Sequence, residues 1–341
     1  MSHARQSVVA CWVNVTNHRL ATVATEDGME SNQTISLAMP EQTHQSWLKQ
    51  QLMVTRQWLA AKASVPLSQW LGDRGDGFAI LAYHRVAAQT PGVIRPTLNV
   101  TPRLFARQIR GLISRGYEAW PLNKVVNHHL NEQDVPSNVF VITFDDGFEN
   151  VYENAFPVLH EFNAPATIFL ATAFLDSREP FYFDSWQDKG SAKTPAGSWR
   201  PLTTDQCLEM QDSGIIELAA HTHTHGDFQD DADGFRADME QCLAVLRDKF
   251  GVYDPSFAYP YGICTPKMDE VTRSLGIRAA VTTVCELVRP DDDHFRWGRL
   301  GAEQYDTPNT LAAKVDGWYS YGRSLWGRLR RPFGSPVGMG A

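Results

Sequence analysis

Short, continuous apolar runs alternate with helix-like segments from residue 78 to about residue 283, and this alternation restricts the possible folds more than any other feature. A strand that is apolar at every position predicts a sheet buried on both faces. Helical segments between the strands predict parallel pairing, because parallel strands need a crossover connection. Six or seven such units favour an α/β fold, a distorted (β/α) barrel of about seven strands, over an open sheet. The predicted strands are residues 78–83, 139–144, 166–171, 215–219, 256–259 and 279–283.

The segments between these strands carry recognisable helix boundaries. Thr101-Pro102 predicts a helix start, with Thr as N-cap and Pro at the first helical position, and Gly116 predicts its end. Pro157 interrupts the helical pattern of residues 150–162, so we expect a kink or a break there. Further helices are predicted at residues 203–213, 235–250 and 266–275, whereas residues 172–202 form an irregular insertion.

The chain divides into three predicted parts. Residues 1–76 are rich in Thr, Gln, Ser and Asn and predict an N-terminal extension that is partly helical or disordered, with one helical pattern at Trp47–Ala61. Gly72–Gly77 predicts a linker, and residues 77–305 predict the barrel domain. Residues 306–341 contain an apolar, aromatic stretch at Leu311–Leu329 and predict a C-terminal helical tail.

Composition limits the partners and the compartment. The 341 residues carry a formal net charge of −8, which argues against nucleic acid and anionic lipid as partners. No apolar run approaches the roughly 18 residues of a membrane helix, and the N-terminus lacks the apolar core of a signal peptide. The five cysteines are scattered and odd in number, which favours free thiols in a reducing compartment. We therefore expect a cytoplasmic chain without a transmembrane segment, whose oligomeric state is unknown from sequence.

Two adjacent carboxylates, Asp145 and Asp146, follow the predicted strand at residues 139–144 and precede Gly147. Because successive side chains point in different directions, one carboxylate can bind a cation while its neighbour faces a substrate. Gly147 allows the backbone to turn sharply after them. Asp-Gly is also a common turn dipeptide, so the pair taken alone favours a simple turn.

Three histidines at alternate positions, His221, His223 and His225, follow the predicted strand at residues 215–219. His221 and His225 are four residues apart, so one turn of backbone can aim both imidazoles at one point. A lone histidine would favour a structural role, but this cluster after a buried strand favours metal binding. One carboxylate and two histidines make a facial triad with open coordination positions. Zinc with three protein ligands and a water is a hydrolytic site.

Two weaker signals lie at other strand ends. Tyr259–Gly262 reads Tyr-Pro-Tyr-Gly and predicts a tight turn, which can present a backbone N–H to an oxyanion. A plain turn is the simpler interpretation. His84 ends the first predicted strand, and as an isolated residue it favours a structural role.

Taken together, three of these segments resemble the motifs of the NodB-type polysaccharide deacetylases, carbohydrate esterase family four. The matching segments are TFDDG at Thr143–Gly147, H-T-x-x-H at His221–His225 and PYG at Pro260–Gly262, in the family's order. The resemblance covers roughly residues 78–300 and implies a distorted (β/α) barrel that removes acetyl groups, N-acetyl before O-acetyl, from a poly- or oligosaccharide. YHRV at residues 83–86 and FAYPYG at residues 257–262 are similar to a branch linked to exopolysaccharide synthesis.

The resemblance also implies roles for individual residues. By position, Asp145 matches the catalytic base, Thr222 the hydroxyl that steadies the histidine loop, and the Tyr261 backbone N–H the oxyanion donor. The implied partner is an acetylated glycan, and the implied cofactor is a divalent metal, most simply Zn²⁺. The implied metal ligands are Asp146, His221 and His225.

Two departures from the family pattern concern acid–base chemistry. The arginine that usually precedes PYG is replaced by Ala258, and the aspartate that usually pairs with it is not found either. Loss of both is consistent, since either one alone would leave an unpaired buried charge. The late Leu-x-His motif that supplies the general acid is missing from Arg296–Leu300. His223 or His84 is therefore expected to supply the proton.

The long insertion and the missing acid leave further interpretations open. Trp186 and Trp199 are candidates for stacking on sugar faces, with packing an equal interpretation. A catalytically silent carbohydrate-binding protein of the same fold is favoured by the missing acid and opposed by the intact Asp145-Asp146 pair. An iron enzyme with a two-histidine, one-carboxylate site is the second alternative. The alternation of strands and helices argues against it.

Overall fold

The computed structural model describes residues 44–71, 77–90, 98–184, 186 and 194–319. The strands are β1 (Ala79–Tyr83), β2 (Arg85–Val86), β3 (Asn99–Val100), β4 (Glu118–Ala119), β5 (Val139–Phe144), β6 (Ala166–Leu170), β7 (Ile216–Ala220), β8 (Phe257–Ala258), β9 (Ala280–Val281) and β10 (Leu300–Gly301). The helices are α1 (His44–Leu71), α2 (Pro102–Ile113), α3 (Leu122–Leu130), α4 (Phe156–Glu161), α5 (Thr204–Asp212), α6 (Ala232–Phe250), α7 (Pro266–Ser274) and α8 (Pro308–Val315).

A curled sheet of parallel strands runs in the order β10–β1–β5–β6–β7–β8–β9, and β4 lies beside β5. The segment leading into β10 bridges the two edge strands. Trp297 donates its backbone N–H to Ala280 and accepts a hydrogen bond from the Thr282 N–H, at 3.1 and 2.8 Å. The predicted distorted (β/α) barrel of about seven strands is therefore confirmed.

The apolar strands bury both of their faces, as their composition predicts. β5 is buried at every position. Phe140 and Ile142 belong to the core beneath the helices, whereas Val141 belongs to a second core that includes residues of β1, β6, β7 and β9. Because side chains alternate along a strand, Thr143 and Asp145 point to the same face of the sheet as Val141. Asp145 therefore emerges at the carboxyl-terminal mouth of the barrel, where the chemistry of such folds is located.

Two predicted helix boundaries are confirmed. α2 begins after Thr101, whose side chain accepts a hydrogen bond from the Leu104 N–H, with Pro102 at the first helical position. The helical pattern at residues 150–162 is interrupted as expected: residues 151–155 form a π-helical turn, and α4 starts at Phe156. Pro157 thus falls in the first turn of α4, where its missing N–H leaves no hydrogen bond unmade.

The described part of the N-terminal extension is one helix, α1, which contains the predicted helical pattern and packs against α8. A hydrogen bond from Ser68 to Asp316 joins the two. The described helical segment of the predicted tail ends at Val315. Residues 1–43, most of the predicted linker (72–76) and the end of the predicted tail (320–341) lie outside the described residues, so the three-part division stays a prediction.

Candidate metal centre and active site

The end of β5 sends the two adjacent carboxylates in different directions. The Asp145 N–H still donates to the Tyr83 carbonyl at 3.0 Å, so it continues the pairing of β5 with β1. Asp146 and Gly147 then both adopt positive φ angles, 73° and 89°. A non-glycine residue seldom takes this conformation, and such strain concentrates at functional sites. The turn leaves Asp145 on the inner face of the barrel and directs Asp146 towards the end of β7.

Asp146, His221 and His225 form a buried cluster of potential metal ligands. One ligand atom from each residue can be chosen so that all of these atoms lie within 4.8 Å of one another. The Asp146 Oδ1 atom lies 3.4 Å from His221 Nε2 and 3.5 Å from His225 Nε2. The structure therefore brings together the three residues that the sequence predicts as ligands.

The hydrogen bonding of the two imidazoles suits metal binding. His221 Nδ1 lies 2.7 Å from the Ala258 carbonyl, which can only accept, so Nδ1 carries the proton and Nε2 presents a lone pair towards Asp146. His225 Nδ1 is buried and makes no hydrogen bond within the described part of the chain. Two imidazoles and a carboxylate are a donor set that zinc and related divalent metals accept. The residues present therefore fit a divalent cation.

The electrostatics of the cluster favour a positive charge at the same point. Burial lowers the pKa of His225 to about 3, and the charge of His221 acts in the same direction. Burial alone would also lower the pKa of His221, but its hydrogen bond with Asp146 and the charge of Asp145 outweigh burial and raise it. Without a metal, the cluster thus favours a second proton on His221, on the Nε2 atom that faces Asp146 and would bind a cation.

Hydrogen bonds from two sides hold the loop that carries both histidines. Thr222 has a positive φ of 63°, and its hydroxyl accepts a hydrogen bond from the His225 N–H at 3.0 Å. This contact is the steadying role implied for Thr222 by the family resemblance. On the other side, the Asp238 carboxylate of α6 accepts hydrogen bonds from the backbone N–H groups of His223 and Thr224, at 2.6 and 3.1 Å.

Arg299 is a residue of this site that the sequence did not single out. Its guanidinium forms a bidentate ion pair with Asp145, with N–O distances of 2.6 and 2.7 Å, and both side chains are buried. It also donates to the Thr143 hydroxyl and to the Thr282 carbonyl. An arginine from the segment before β10 therefore supplies a buried, paired positive charge at the barrel mouth, although position 258 carries Ala. The aspartate that the family resemblance pairs with the arginine before PYG is not Asp145, so the loss of that pair stays a prediction.

Opposing effects act on the two carboxylates. Burial would raise the pKa of Asp145, but the Arg299 guanidinium and the neighbouring imidazoles hold it below its ordinary value. Burial would likewise raise the pKa of Asp146, but its hydrogen bond with His221 and the neighbouring imidazole charges hold it well below that value. Both groups are ionised at neutral pH, which is the form required of a base and of a metal ligand.

The two candidate proton donors occupy different places. His84 Nε2 lies 3.8 Å from Asp145 Oδ2, and burial lowers the pKa of His84 against the opposing charges of Asp146 and Asp145. His223 is half-buried, and its Nδ1 lies 2.9 Å from the Thr172 hydroxyl. Of the two histidines, the described contacts link only His84 to Asp145.

The Tyr-Pro-Tyr-Gly segment forms the predicted tight turn. Tyr261 and Gly262 have φ angles of 58° and 70°. A Cβ on Gly262 would lie 1.9 Å from the Thr283 hydroxyl, so the turn passes too close to the next strand end for any side chain. The Tyr261 ring meets the His225 imidazole edge to face, with 4.7 Å between centroids. Outside its own turn, the Tyr261 N–H makes no backbone hydrogen bond to another described residue.

The predicted role of Trp186 in sugar stacking is not supported by its position. Its side chain is only 5% exposed, and its ring lies over the Arg85 guanidinium at 4.3 Å. A ring covered in this way offers no open face to a sugar. Trp199 is half-buried at the end of the insertion. Tyr182 is the more exposed aromatic residue here, at 46%, and its hydroxyl donates to the carbonyl of His225.

Comparison with known proteins gives the class. Residues 132–280 match the sequence model of the polysaccharide deacetylase family. A poly-β-1,6-N-acetyl-D-glucosamine N-deacetylase of Staphylococcus epidermidis is 25% identical over 229 residues, which is 64% of this chain and 73% of that protein. The Escherichia coli K12 protein of the same name is 23% identical over 232 residues, 59% of this chain but only 33% of its own length. The solved structure of IcaB from Ammonifex degensii superposes with a TM-score of 0.60 and 26% identity, covering 71% of this chain and 98% of that one.

The barrel fold, the Asp-His-His cluster at its mouth and these similarities all indicate a polysaccharide deacetylase. The predicted resemblance to the polysaccharide deacetylases is therefore confirmed over residues 132–280. Both curated relatives are named as N-deacetylases, enzymes that hydrolyse carbon–nitrogen bonds other than peptide bonds, which supports the prediction of a deacetylase. No helix among the described residues is both long enough and apolar enough to span a membrane.

Proposed function

We propose that this enzyme hydrolyses the acetamido group of N-acetylated sugars in a poly- or oligosaccharide, using a divalent metal, most simply Zn²⁺, held by Asp146, His221 and His225. The observation that carries the proposal is the position of the ionised, Arg299-bound Asp145 beside that buried ligand cluster. A metal site with three protein ligands and an adjacent carboxylate base is the arrangement of a hydrolytic site. When bound, the metal supplies Lewis-acid polarisation of the carbonyl and a lowered pKa for a bound water.

In this reaction, Asp145 accepts a proton from the water that attacks the acetyl carbon. The bidentate Arg299 contact fixes the orientation of the Asp145 carboxylate and keeps it ionised. The Tyr261 N–H donates to the oxygen that becomes negatively charged, and one such donor is typically worth about 3–4 kcal/mol of transition-state stabilisation. The carbon–nitrogen bond then breaks, and the products are acetate and a sugar amine.

We assign the general acid to His84 in preference to His223. The leaving nitrogen needs a proton from a group near the base, and His84 Nε2 lies 3.8 Å from the Asp145 carboxylate. His223 is instead engaged with Thr172. In the test, His84→Asn lowers kcat by about 10²–10⁴-fold, the usual contribution of general acid catalysis, and His223→Asn has a small effect. A loss confined to His223→Asn would reverse the assignment.

We propose poly-β-1,6-linked N-acetylglucosamine, the substrate in the names of the two curated relatives, as the first glycan to test. O-acetyl sugars are the second choice.

The scattered cysteines, of which the described Cys207, Cys242, Cys264 and Cys285 are free thiols, still predict a reducing compartment such as the cytoplasm.

The decisive experiment measures acetate release from N-acetylglucosamine oligomers of defined linkage, with and without a chelator. Asp145→Asn should abolish release while the protein still retains its metal by elemental analysis. Asp227→Asn, which changes an exposed carboxylate two residues after His225, is the matched control and should keep its activity. Full activity in Asp145→Asn would refute its role as base.

The same assay separates the alternatives. A silent glycan-binding protein would bind the oligomers and release no acetate with any metal. An iron enzyme with the same ligand type would consume oxygen, and the parallel strand order argues against it, because such sites usually occur on antiparallel double-sheet folds.

A further inference from the structure

Arg85 is a buried cation that the proposed reaction does not use. It directly follows His84, and it is only 3% exposed. Its guanidinium donates to Asp184 Oδ2 at 2.6 Å and lies between the rings of Phe148 and Trp186, with distances to the ring centroids of 4.1 and 4.3 Å. One side chain therefore joins β2, the turn after Asp146 and the long insertion.

Three consecutive residues of the insertion, 182–184, connect Arg85 to the loop that carries His221 and His225. Asp184 binds Arg85, and Phe183 stacks on the His225 imidazole, with 3.9 Å between centroids and 23° between planes. The Tyr182 hydroxyl donates to the backbone carbonyls of residues 224 and 225, both at 3.1 Å.

A purely stabilising role does not require charges at these two positions. Burying an ion pair removes two charges from water, and replacing both partners with apolar side chains of similar size is often neutral or stabilising. An apolar pair cannot impose the fixed orientation that a hydrogen-bonded ion pair gives to its two side chains. A planar guanidinium that is hydrogen-bonded to Asp184 and lies over two aromatic rings fixes the orientation of the Asp184 carboxylate more narrowly than dispersion contacts do.

We propose that Arg85 and Asp184 form a positioning pair, which holds insertion residues 182–184 against His225 and fixes the backbone beside His84. Neither residue touches the reacting atoms; they act through the ligand His225 and through the histidine assigned as acid. The inference rests on the proposed function for its effect on turnover. Its effect on metal affinity is independent of the substrate.

The test compares single and double replacements. Arg85→Met and Asp184→Leu each leave a buried charge without its partner and should lower both the unfolding temperature and kcat. The double variant removes both charges and should recover an unfolding temperature close to that of the unmodified protein. Its kcat should stay about 10–100-fold low, with Co²⁺ affinity reduced to a similar extent, which is the usual effect of altering groups that orient metal ligands. KM should change less than kcat.

Two further variants sharpen the result. Arg85→Lys keeps the charge and loses the planar fork, so it should fold and recover only part of kcat. Lys249→Met removes an exposed ion pair between α6 and Asp176, which belongs to the same insertion, and it should leave kcat and Co²⁺ affinity unchanged. A double variant with full kcat and unchanged Co²⁺ affinity would overturn the proposal and leave the pair a structural role.

Co²⁺ affinity is measured by titrating metal-free protein and following visible absorption, with Zn²⁺ competition. This readout distinguishes the two hypotheses. If the unmodified protein releases no acetate but binds Co²⁺ more tightly than the double variant, the proposed function fails and the positioning role stands. If acetate release and Co²⁺ affinity are the same in the unmodified protein and the double variant, the positioning role fails and the proposed function stands.

Discussion

Replacing Arg299 with Gln should show how much the stability of the barrel depends on the positive charge that faces Asp145. Both side chains are buried, and two charge-assisted hydrogen bonds of 2.6 and 2.7 Å join them. Hydrogen bonds to charged groups contribute about 1.5–3 kcal/mol each, and breaking one partner of a buried ion pair costs about 3–5 kcal/mol. For a domain of this size, 1 kcal/mol corresponds to about 2–4 °C, so the unfolding temperature should fall by about 6–20 °C.

The same substitution should change how stability depends on pH. In the unmodified protein the pKa of Asp145 lies below its ordinary value. The ionised Asp145 carboxylate therefore adds to the free energy of unfolding above its unfolded-state pKa, about 3.9, and this contribution is lost as the pH falls through the folded-state pKa. Without Arg299, burial remains the largest effect, and only His221 and His84 oppose it. The pKa of Asp145 should then rise above its unfolded value, so that acidification from pH 7 towards pH 5 stabilises the variant.

Thermal unfolding followed by circular dichroism at pH 7 and pH 5 tests both points. The difference in unfolding temperature between the two proteins should be smaller at pH 5. Arg299→Lys keeps a charge without the bidentate geometry and should be intermediate. Arg110→Gln removes an exposed pair with Glu161 and should cost at most about 1 kcal/mol. If Arg299→Gln unfolds within 2 °C of the unmodified protein at both pH values, the buried pair does not have the role assigned to it.

Three other perturbations have defined outcomes. Gly262→Ala places a Cβ 1.9 Å from the Thr283 hydroxyl at a φ of 70°, so it should lower the urea midpoint and kcat. Gly276→Ala, at a φ of 76° with open space around it, should lower only the midpoint, by a smaller amount, and an equal loss of kcat in both would contradict the turn argument. His225→Ala should lower metal occupancy, measured by elemental analysis after dialysis, by about 10²-fold or more; full occupancy would remove His225 from the ligand set. Lys314→Met breaks a buried pair with Asp306, whose N–O distance is 2.7 Å. The pKa of Lys314 is raised despite burial. Its contribution to the free energy of unfolding is therefore complete below the unfolded-state pKa of about 10.4 and is lost as the pH rises through the folded-state pKa. The difference in unfolding temperature between the unmodified protein and Lys314→Met should thus narrow from pH 8 to pH 11.

The candidate metal cluster could be predicted from sequence because local pattern and topology constrain its residues together. Asp146, His221 and His225 follow the ends of two buried strands, β5 and β7, and the carboxyl ends of parallel strands meet at one end of a barrel. The strands that were missed are the ones that this pattern does not describe. β2, β3, β4 and β10 have two residues each, too few for a hydrophobic period to appear.

Arg299 was missed for a different reason. It lies 154 residues from Asp145 in sequence, and no local period links the two. Two signals could have identified it: the vacant arginine position at Ala258, and an arginine in the segment where the late family motif was expected. For Trp186 the sequence left sugar stacking and packing as equal interpretations, and the structure favours packing, because the ring lies over the Arg85 guanidinium.

The geometry of the barrel mouth explains how Arg299 reaches Asp145 although no arginine precedes PYG in this chain. β8 pairs with β9, and the segment before β10 pairs with β9 in turn, so Ala258 and Arg299 lie on strand ends only one strand apart. The Arg299 guanidinium reaches Asp145 from the segment before β10, and the Thr282 carbonyl accepts a hydrogen bond from it at 3.0 Å. A carboxylate proposed as a base inside a buried site needs a cation that keeps it ionised and oriented. Because the carboxyl ends of the strands meet at one mouth, a strand end distant in sequence can supply that cation.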